Sequence, residues 1–304
     1  MQFVPFSFCS EVVGHHEDLE HFAVFPANSA WNSAVSTHRE RREVFQLELT
    51  HTADPDVWRY GFFDAPFSLE HLLARDPRYT RVRFFSFRTV SDDRHYEISV
   101  DDLHSKLIPF VIERFFYATH APCVSFNCPP TDLSAENLAT VNTLVRRFQD
   151  LEQLWSLVLW NYGETTEKAL EHFLLKKGLD RVYLHGKWKK ESFVQLMRHM
   201  KQSAIQCFQF LKSDLDFDAE MMAEFIAAWR DGDFRGKEIY LSAKTFPSAD
   251  ALCALMPDGD RKGFRRYWVC HNNHQQTLSV SRDVARSYND NRNWINMGPY
   301  YGDD

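Results

Sequence analysis

Short apolar segments recur through the second half of the chain. Each has apolar residues at its first and third positions, as in Val182-Tyr183-Leu184. Side chains alternate across a β-strand, so the first and third residues would share one face. The segments cover residues 124–126, 157–159, 182–184, 208–210 and 239–241. Their spacing falls within the ~20–50 residues typical of repeat architectures, so we predict a series of short strands.

The segments between these strands have helical periodicity. Apolar residues recur at intervals of three and four positions within 138–148, 193–200 and 221–229, which predicts amphipathic helices with one buried face. A helix between two such strands favours a parallel crossover. We therefore predict an α/β fold with parallel strands in an irregular βα stack. Asn127 and Asn161 stand where a leucine-rich repeat has its asparagine, so the stack resembles a leucine-rich-repeat array; a non-repeating α/β domain remains the alternative.

The region 43–120 is predicted to be a strand-rich connector. Phe45, Leu47 and Leu49 alternate with polar residues, and a turn at 54–56 leads to a return strand at 57–60. Residues 82–87 read as a further strand, and an apolar stripe at 103–116 follows as a helix. Pro109 requires this helix to start near residue 108 or to kink there. The second half of the connector is thus a possible first βα unit.

The C-terminal part of the chain predicts a hairpin and a tail. Residues 266–270 and 276–280 flank a polar turn and read as a hairpin that caps the last repeat. The segment 285–304 is rich in Asn, Asp, Arg and Tyr, and we expect it to be loosely ordered. The predicted organisation is a helical module at 1–42, the connector at 43–120, the repeats with the hairpin at 121–284 and the tail.

Composition narrows the possible functions. The chain has 304 residues, of which 44% are hydrophobic and 15% aromatic, so it can form a core. Its net charge of −7 argues against a nucleic-acid binder, because phosphate binding needs a concentrated basic surface. No apolar run approaches the ~20 residues of a membrane span. We expect no nucleic-acid or membrane partner and a cytoplasmic or nuclear location.

The sequence contains no recognisable catalytic constellation. Gly-rich phosphate loops, the nucleophile elbow and zinc-protease motifs are missing from it. The six cysteines are dispersed in apolar runs, which favours buried thiols over disulfides or metal ligands. His15, His16 and His21 lie close together, but we interpret them as surface residues. We expect neither a cofactor nor a metal, and no catalytic residue is assigned.

The first forty residues carry more apolar surface than so short a segment can bury. They lack the basic start of an export signal, and polar residues interrupt the apolar run early. The pattern predicts three short helices, broken at Pro26, with Trp31 on the last. Such a small module needs cover from a partner or from the rest of the chain.

This N-terminal segment resembles the F-box. Val4-Pro5, Val12-Val13, Asp18-Leu19 and Trp31 match the order of that motif over roughly residues 3–38. Together with the βα stack, the chain is similar to divergent F-box proteins with leucine-rich-repeat-like or F-box-associated C-terminal regions. The resemblance implies that the module binds a Skp-type adaptor of a cullin-RING ubiquitin ligase, and that the C-terminal region binds a client protein. The chain itself would be a non-catalytic adaptor in protein ubiquitination.

Two sets of candidate residues follow from this interpretation. The adaptor-binding set is Val4, Pro5, Phe6, Phe8, Val12, Leu19 and Trp31. The client-binding set, near the strand ends, is Trp160, Tyr162, His185, Trp188, Lys212 and Lys244. Three alternatives remain open: packing of Trp160 and Trp188 in the core, a repeat scaffold without a ligase link, and an enzyme whose site is assembled from scattered residues.

Overall fold

A computed structural model describes most of the chain up to residue 243 and shorter stretches beyond it. The described residues are 4–16, 19–22, 24–63, 67–89, 96–115, 122–202, 204–211, 216–235, 237–243, 247, 251, 254–255, 260–262, 267–271, 276–282 and 293–299. Contacts divide the chain into two compact units, which are described separately. The first unit comprises Met1–Ser156 with Lys176–Gly178, and the second comprises Leu157–Leu175 with Leu179–Asp304.

The first unit starts with three short helical elements. They are α1 (Phe6–Gly14), a 3-10 helix (Leu19–Phe22) and α2 (Ala30–Arg41). Pro5 precedes α1, where its fixed φ suits a helix start and its missing N–H costs nothing. The Ser29 hydroxyl accepts a hydrogen bond from the Asn32 N–H at 3.1 Å and caps α2. These elements share a small core of Cys9, Val13, Phe22, Ala34 and Val35.

The strands of the first unit form a mixed sheet in the order β4-β2-β1-β3-β5. Its strands are β1 (Glu43–His51), β2 (Val57–Phe62), β3 (Thr80–Arg88), β4 (Tyr96–Ser99) and β5 (Cys123–Asn127). The predicted hairpin is confirmed, because β1 and β2 pair antiparallel. β3 pairs parallel with both β1 and β5, whereas β4 pairs antiparallel with β2.

Helices connect these strands. They are α3 (Leu69–Leu73), α4 (Val100–Asp102), α5 (Ile108–Glu113), a 3-10 turn (Pro130–Asp132) and α6 (Ala135–Phe148). Between α4 and α5, Leu103–Leu107 are π-helical. Proline lacks the N–H that an α-helix would donate to the fourth residue before it, so the π-helical stretch accommodates Pro109 without interrupting the helical path. Of the two predicted alternatives, a start near residue 108 agrees with the beginning of α5 at Ile108.

Aromatic packing dominates the core of the first unit. The ring of Phe148, at the end of α6, lies 4.3 Å from Phe85, 5.8 Å from Phe126 and 5.9 Å from Phe115, measured between ring centroids. All four rings are buried. Because aromatic side chains bury large areas, this cluster fixes α6 against β3 and β5.

The second unit alternates strands and helices up to its fourth strand, and four further strands follow among the described residues. It contains β6 (Ser156–Trp160), α7 (Glu164–Leu174), β7 (Arg181–His185), α8 (Lys190–Gln202), β8 (Cys207–Leu211), α9 (Ala219–Asp231), β9 (Glu238–Ala243), β10 (Asp260–Lys262), β11 (Tyr267–His271), β12 (Gln276–Arg282) and β13 (Asn293–Pro299). Their order is β6-β7-β8-β9-β13-β12-β11-β10. β7, β8 and β9 pair parallel, and the last strands pair antiparallel. The α/β class with largely parallel strands is confirmed.

The predicted elements and the observed ones agree closely, with two corrections. Each recurring apolar segment lies within a strand, from β5 to β9, and β11 pairs with β12 as the predicted hairpin. The sequence places Thr165 where the N-cap of the helix after β6 is expected, but α7 already begins at Glu164 and its N-cap is Gly163. The tail was expected to be loosely ordered, but Asn293–Pro299 form β13 between β9 and β12. Backbone pairing with these two strands places the segment. The predicted boundaries at 42, 120 and 284 remain predictions.

Candidate interaction surfaces

The first candidate surface lies at the start of α1. Phe6 is 43% exposed and Phe8 is 53% exposed, although both are large apolar residues. Pro5, immediately before the helix, is exposed as well. We call these three residues the N-terminal apolar surface. Two exposed aromatic rings two positions apart on so short a helix leave apolar area in contact with water.

The other members of the predicted adaptor-binding set are half-buried. Val4, Val12, Leu19 and Trp31 pack against the small core of the helical elements. Trp31 stacks on Phe25 at 5.1 Å and on Phe22 at 5.9 Å, and it meets Phe8 edge to face at 6.1 Å. Trp31 therefore supports the N-terminal apolar surface from beneath rather than forming it.

Sequence reasoning missed one exposed apolar residue in this region. Val24 is 84% exposed and follows the 3-10 helix. It belongs to the apolar run Ala23-Val24-Phe25-Pro26, in which Phe25 packs on Trp31. A continuous apolar run has no periodicity, so the sequence carries no signal that separates its inner residues from its outer ones.

Polar contacts hold the helical elements against the strands of the same unit. Arg42 donates from Nη2 to the Val13 carbonyl at 2.7 Å, across the end of α1. His38 is buried, with Nε2 2.8 Å from the Ser10 carbonyl, and its ring meets Tyr79 at 5.0 Å. Arg81 on β3 donates to the Gly14 carbonyl at 3.4 Å. These contacts use the C-terminal end of α1 and the side of α2, not Phe6 or Phe8.

The second candidate surface is one face of the sheet in the second unit. Val182, Leu184, Phe208 and Phe210 are buried, whereas the residues between them are partly exposed. Tyr183 lies opposite Gln209, and Gln209 lies opposite Tyr240, so three neighbouring strands present a continuous row. We call the partly exposed residues the open sheet face: Val158, Trp160, Tyr183, His185, Gln209 and Tyr240.

Only part of the predicted client-binding set lies on the open sheet face. Trp160 and His185 are half-buried, and their rings stack at 5.3 Å with an angle of 20°. Tyr162 and Trp188 are buried, which removes them from the predicted surface. The indole Nε1 of Trp188 donates to the His185 carbonyl at 2.8 Å, so this tryptophan has a structural role. Lys212 and Lys244 lie outside the described residues.

The residues that sequence reasoning missed are the middle ones of the recurring segments. Tyr183, Gln209 and Tyr240 each stand between two apolar residues that face the helices. Strand alternation alone would have placed them on the opposite face. The prediction concentrated on the strand ends, whereas the row runs across the middle of the strands.

A polar network crosses part of the open sheet face. A side-chain hydrogen bond with Tyr183 raises the pKa of Arg181, and burial raises the pKa of Tyr183. Gln209 contacts the Cys207 sulfur at 3.8 Å.

The thiols of two buried cysteines have raised pKa values. Burial raises the pKa of Cys207, and it raises the pKa of Cys128, in the first unit, to about 11. These thiols stay protonated near neutral pH, which disfavours nucleophilic or metal-ligating roles.

Asn161 joins two successive βα units within the second unit. Its amide donates to the Lys187 carbonyl, which follows the next strand, and to Glu167 at 3.1 Å. Its Oδ1 accepts from the Gly163 N–H at 2.8 Å. Asn161 is buried, so these bonds satisfy groups that would otherwise lose water without compensation. Asn127, the last residue of β5, is exposed.

Metal-binding clusters and membrane-spanning helices were sought among the described residues. Among them, no group of three or more His, Cys, Asp or Glu side chains is placed to hold a metal ion. Across the same part of the chain, no helix is both long enough and apolar enough to cross a bilayer. Comparisons with protein families, curated proteins and solved structures find no match to this chain. The function must therefore be argued from the two surfaces.

Proposed function

We propose that this protein is a non-catalytic substrate-recognition adaptor of a cullin-RING ubiquitin ligase of the SCF type. Its N-terminal helical elements act as a divergent F-box that binds a Skp-type adaptor. The open sheet face, in a leucine-rich-repeat-like stack, binds a client protein. The observation that carries the proposal is the pair of exposed rings, Phe6 and Phe8, on elements that possess a core of their own.

The order of elements supports the F-box interpretation. Pro5 precedes α1, Val12 and Val13 lie on α1, Leu19 begins the 3-10 helix and Trp31 lies on α2. Asp18, the remaining residue of the motif, lies outside the described residues. Residues that match the motif thus fall on successive short helical elements, as a compact docking module requires.

The N-terminal apolar surface is suited to protein binding. Soluble proteins rarely expose contiguous apolar patches, and such patches mark interaction sites when polar residues surround them. Ser7 and Glu11 are exposed on the same helix and supply a polar rim. Because the small core is complete without Phe6 and Phe8, these rings are available to a partner.

The open sheet face supports the client-binding half of the proposal. Tyr and Trp are enriched among the residues that contribute most to protein interfaces, and this face carries Trp160, Tyr183 and Tyr240. Parallel βα units that contact their neighbours resemble a repeat array, and Asn161 bridges two of them as the asparagine of a leucine-rich repeat would. Such a ligase subunit would act in the cytoplasm or nucleus.

Co-expression with a Skp-type adaptor tests the proposal. The full chain should co-purify with the adaptor as one complex in size-exclusion chromatography. The double variant Phe6→Asp with Phe8→Asp should abolish the complex, because charge replaces apolar contact area. Phe6→Asp alone should weaken it. Leu175→Asp, at a residue that is 72% exposed in the second unit, is the matched control and should leave the complex intact.

Two outcomes would contradict the proposal. If the folded wild-type chain binds no Skp-type adaptor, the ligase role fails, and a repeat-type interaction scaffold without a ligase link becomes the better explanation. If the double variant binds as well as the wild-type chain, the N-terminal apolar surface is not the docking site.

A further inference from the structure

Three partly exposed side chains form a row across β7, β8 and β9 in the second unit. Tyr183 lies opposite Gln209, and Gln209 lies opposite Tyr240. We call these three residues the tyrosine row. Their neighbours along each strand, such as Val182 and Leu184, are buried, so the row lies on the open sheet face and crosses the strands.

The spacing of the two tyrosines matches one turn of a polyproline II helix. Neighbouring strands lie ~4.8 Å apart, so Tyr183 and Tyr240, which are two strands apart, are separated by about 9.6 Å. Polyproline II has three residues per turn and rises ~3.1 Å per residue, so every third residue recurs after about 9.3 Å. A polyproline II segment that lies across the strands would therefore place one residue over each tyrosine.

Hydrogen bonds hold the ring of Tyr183 in place before any ligand binds. Its hydroxyl accepts a hydrogen bond from the Arg181 side chain and makes another with the Cys207 thiol. Arg181 and Cys207 face each other across β7 and β8, two residues before Tyr183 and Gln209. An aromatic side chain that is already ordered loses little conformational freedom on binding, which favours its use as an interface anchor.

Gln209 offers a polar contact between the two rings. Its Nε2 donates to the Cys207 sulfur at 3.8 Å, and a thiol sulfur is only a weak acceptor. The backbone of polyproline II makes no internal hydrogen bonds, so its carbonyl groups are available to a donor. The Gln209 amide can therefore donate to a carbonyl of a segment that spans Tyr183 and Tyr240.

Charged side chains distinguish the two ends of the tyrosine row. Glu238 lies two residues before Tyr240 on β9 and shares its face, because side chains alternate along a strand. It is partly exposed, and no ion pair formed by the described residues includes it. Arg181 has the corresponding position on β7, where it contacts Asp180 at 3.5 Å. A basic residue of a ligand would thus be attracted to the β9 end and repelled at the β7 end.

We propose that the tyrosine row binds a proline-rich client segment in the polyproline II conformation. Prolines three positions apart would lie over Tyr183 and Tyr240, with a basic residue of the segment beside Glu238. Surfaces lined by aromatic residues bind such segments because the polyproline II conformation is preformed. This inference rests on the proposed function, since it names the chemistry of the client that the open sheet face would bind.

Fluorescence anisotropy with the full chain tests the proposal. The probe is a labelled peptide of four proline-proline-alanine repeats followed by two arginines, and we expect it to bind saturably. A peptide with serine in place of every proline is flexible, and a peptide with glutamates in place of the arginines has the wrong charge, so both should bind more weakly. Tyr183→Ala and Tyr240→Ala should each weaken binding of the probe at least about fivefold, as expected for aromatic anchors.

Two further variants keep the test decisive if a tyrosine variant does not fold. Glu238→Gln preserves the shape of the side chain and should remove most of the preference for the arginine peptide over the glutamate peptide. Tyr96→Ala removes a tyrosine that is 36% exposed in the first unit and should leave the affinity unchanged. The proposal is wrong if the probe does not bind saturably, if the serine peptide binds as tightly, if Glu238→Gln keeps the full charge preference, or if Tyr96→Ala weakens binding as much as Tyr183→Ala.

Co-purification with the Skp-type adaptor separates this proposal from the ligase role. A chain that binds the adaptor but not the probe overturns the polyproline II assignment alone. A chain that binds the probe but no adaptor retains this assignment and loses the ligase role.

Discussion

The ring of Trp160 lies directly against Gly186. A Cβ atom at Gly186 would come within 3.0 Å of Cε3 of Trp160, and φ of Gly186 is +86°. Gly186→Ala would therefore combine backbone strain with a clash against an aromatic ring that also stacks on His185. We expect it to lower the free energy of unfolding by about 1–3 kcal/mol, measured by urea denaturation.

Gly178→Ala is the matched control for this variant. Gly178 has a similar φ of +75°, but a Cβ there would meet only the Leu154 carbonyl at 3.8 Å, an ordinary contact. Gly178→Ala should therefore show only the cost of placing alanine in a left-handed backbone conformation. Its loss in the free energy of unfolding should be smaller than that of Gly186→Ala. Equal losses in the two variants would mean that the contact with Trp160 is unimportant.

Asn161 offers a second test, on the connection between βα units. Asn161→Ala removes bonds to Lys187, Glu167 and the Gly163 N–H. At about 1 kcal/mol for each bond, we expect a loss of roughly 2–3 kcal/mol in the free energy of unfolding. Gln202→Ala, at the exposed last residue of α8 in the same unit, is the control and should change the free energy of unfolding by less than about 0.5 kcal/mol. A small effect at Asn161 would remove the structural basis for comparing it with a repeat asparagine.

The recurring strands were predictable because alternation is a local property. In each segment, as in Val182-Tyr183-Leu184, the neighbouring apolar residues face the helices regardless of what lies further along the chain. The helices were predictable for the same reason, since an apolar stripe at helical spacing must be buried. N-caps are local as well: Ser134 and Asp218 stand before apolar stripes in the sequence, and each side chain accepts a hydrogen bond from the N–H three residues later.

The remaining features depend on contacts between residues distant in sequence. Trp160 ends β6, Tyr162 lies just after β6 and Trp188 just after β7, yet only Trp160 is partly exposed. A cavity lined by Arg81 and Arg114 brings together α1, β3 and the residues after α5, which no spacing in the sequence relates. β13 was missed because its pairing partners, β9 and β12, determine its position.

The buried histidine between α1 and α2 should make stability depend on pH. Burial lowers the pKa of His38 below 6.5, and the charges of Arg42, Arg81 and Arg78 lower it further, against a hydrogen bond to Ser10 that raises it. The unfolded chain therefore takes up this proton first as the pH falls. The contribution of neutral His38 to the free energy of unfolding is fully present above pH 6.5. It declines below that pH, by no more than about 1.4 kcal/mol per pH unit.

His38→Gln should make this decline shallower in urea denaturation between pH 7 and pH 5. Some slope will remain, because burial also lowers the pKa of His104. His172→Gln, at an exposed position on α7, should reproduce the wild-type slope. If His38→Gln also reproduces it, protonation of His38 is not coupled to folding.

Stability measurements should separate the core of the N-terminal helical elements from their exposed surface. Val13 is fully buried in the small core, so Val13→Ala leaves a cavity and should lower the free energy of unfolding by about 1–3 kcal/mol. Phe6 is 43% exposed, and Phe6→Ala should change the free energy of unfolding by less than about 0.5 kcal/mol. Urea denaturation measures both. If Phe6→Ala destabilises the chain as much as Val13→Ala, then Phe6 serves the fold itself, and a loss of adaptor binding in its variants would no longer identify a docking surface.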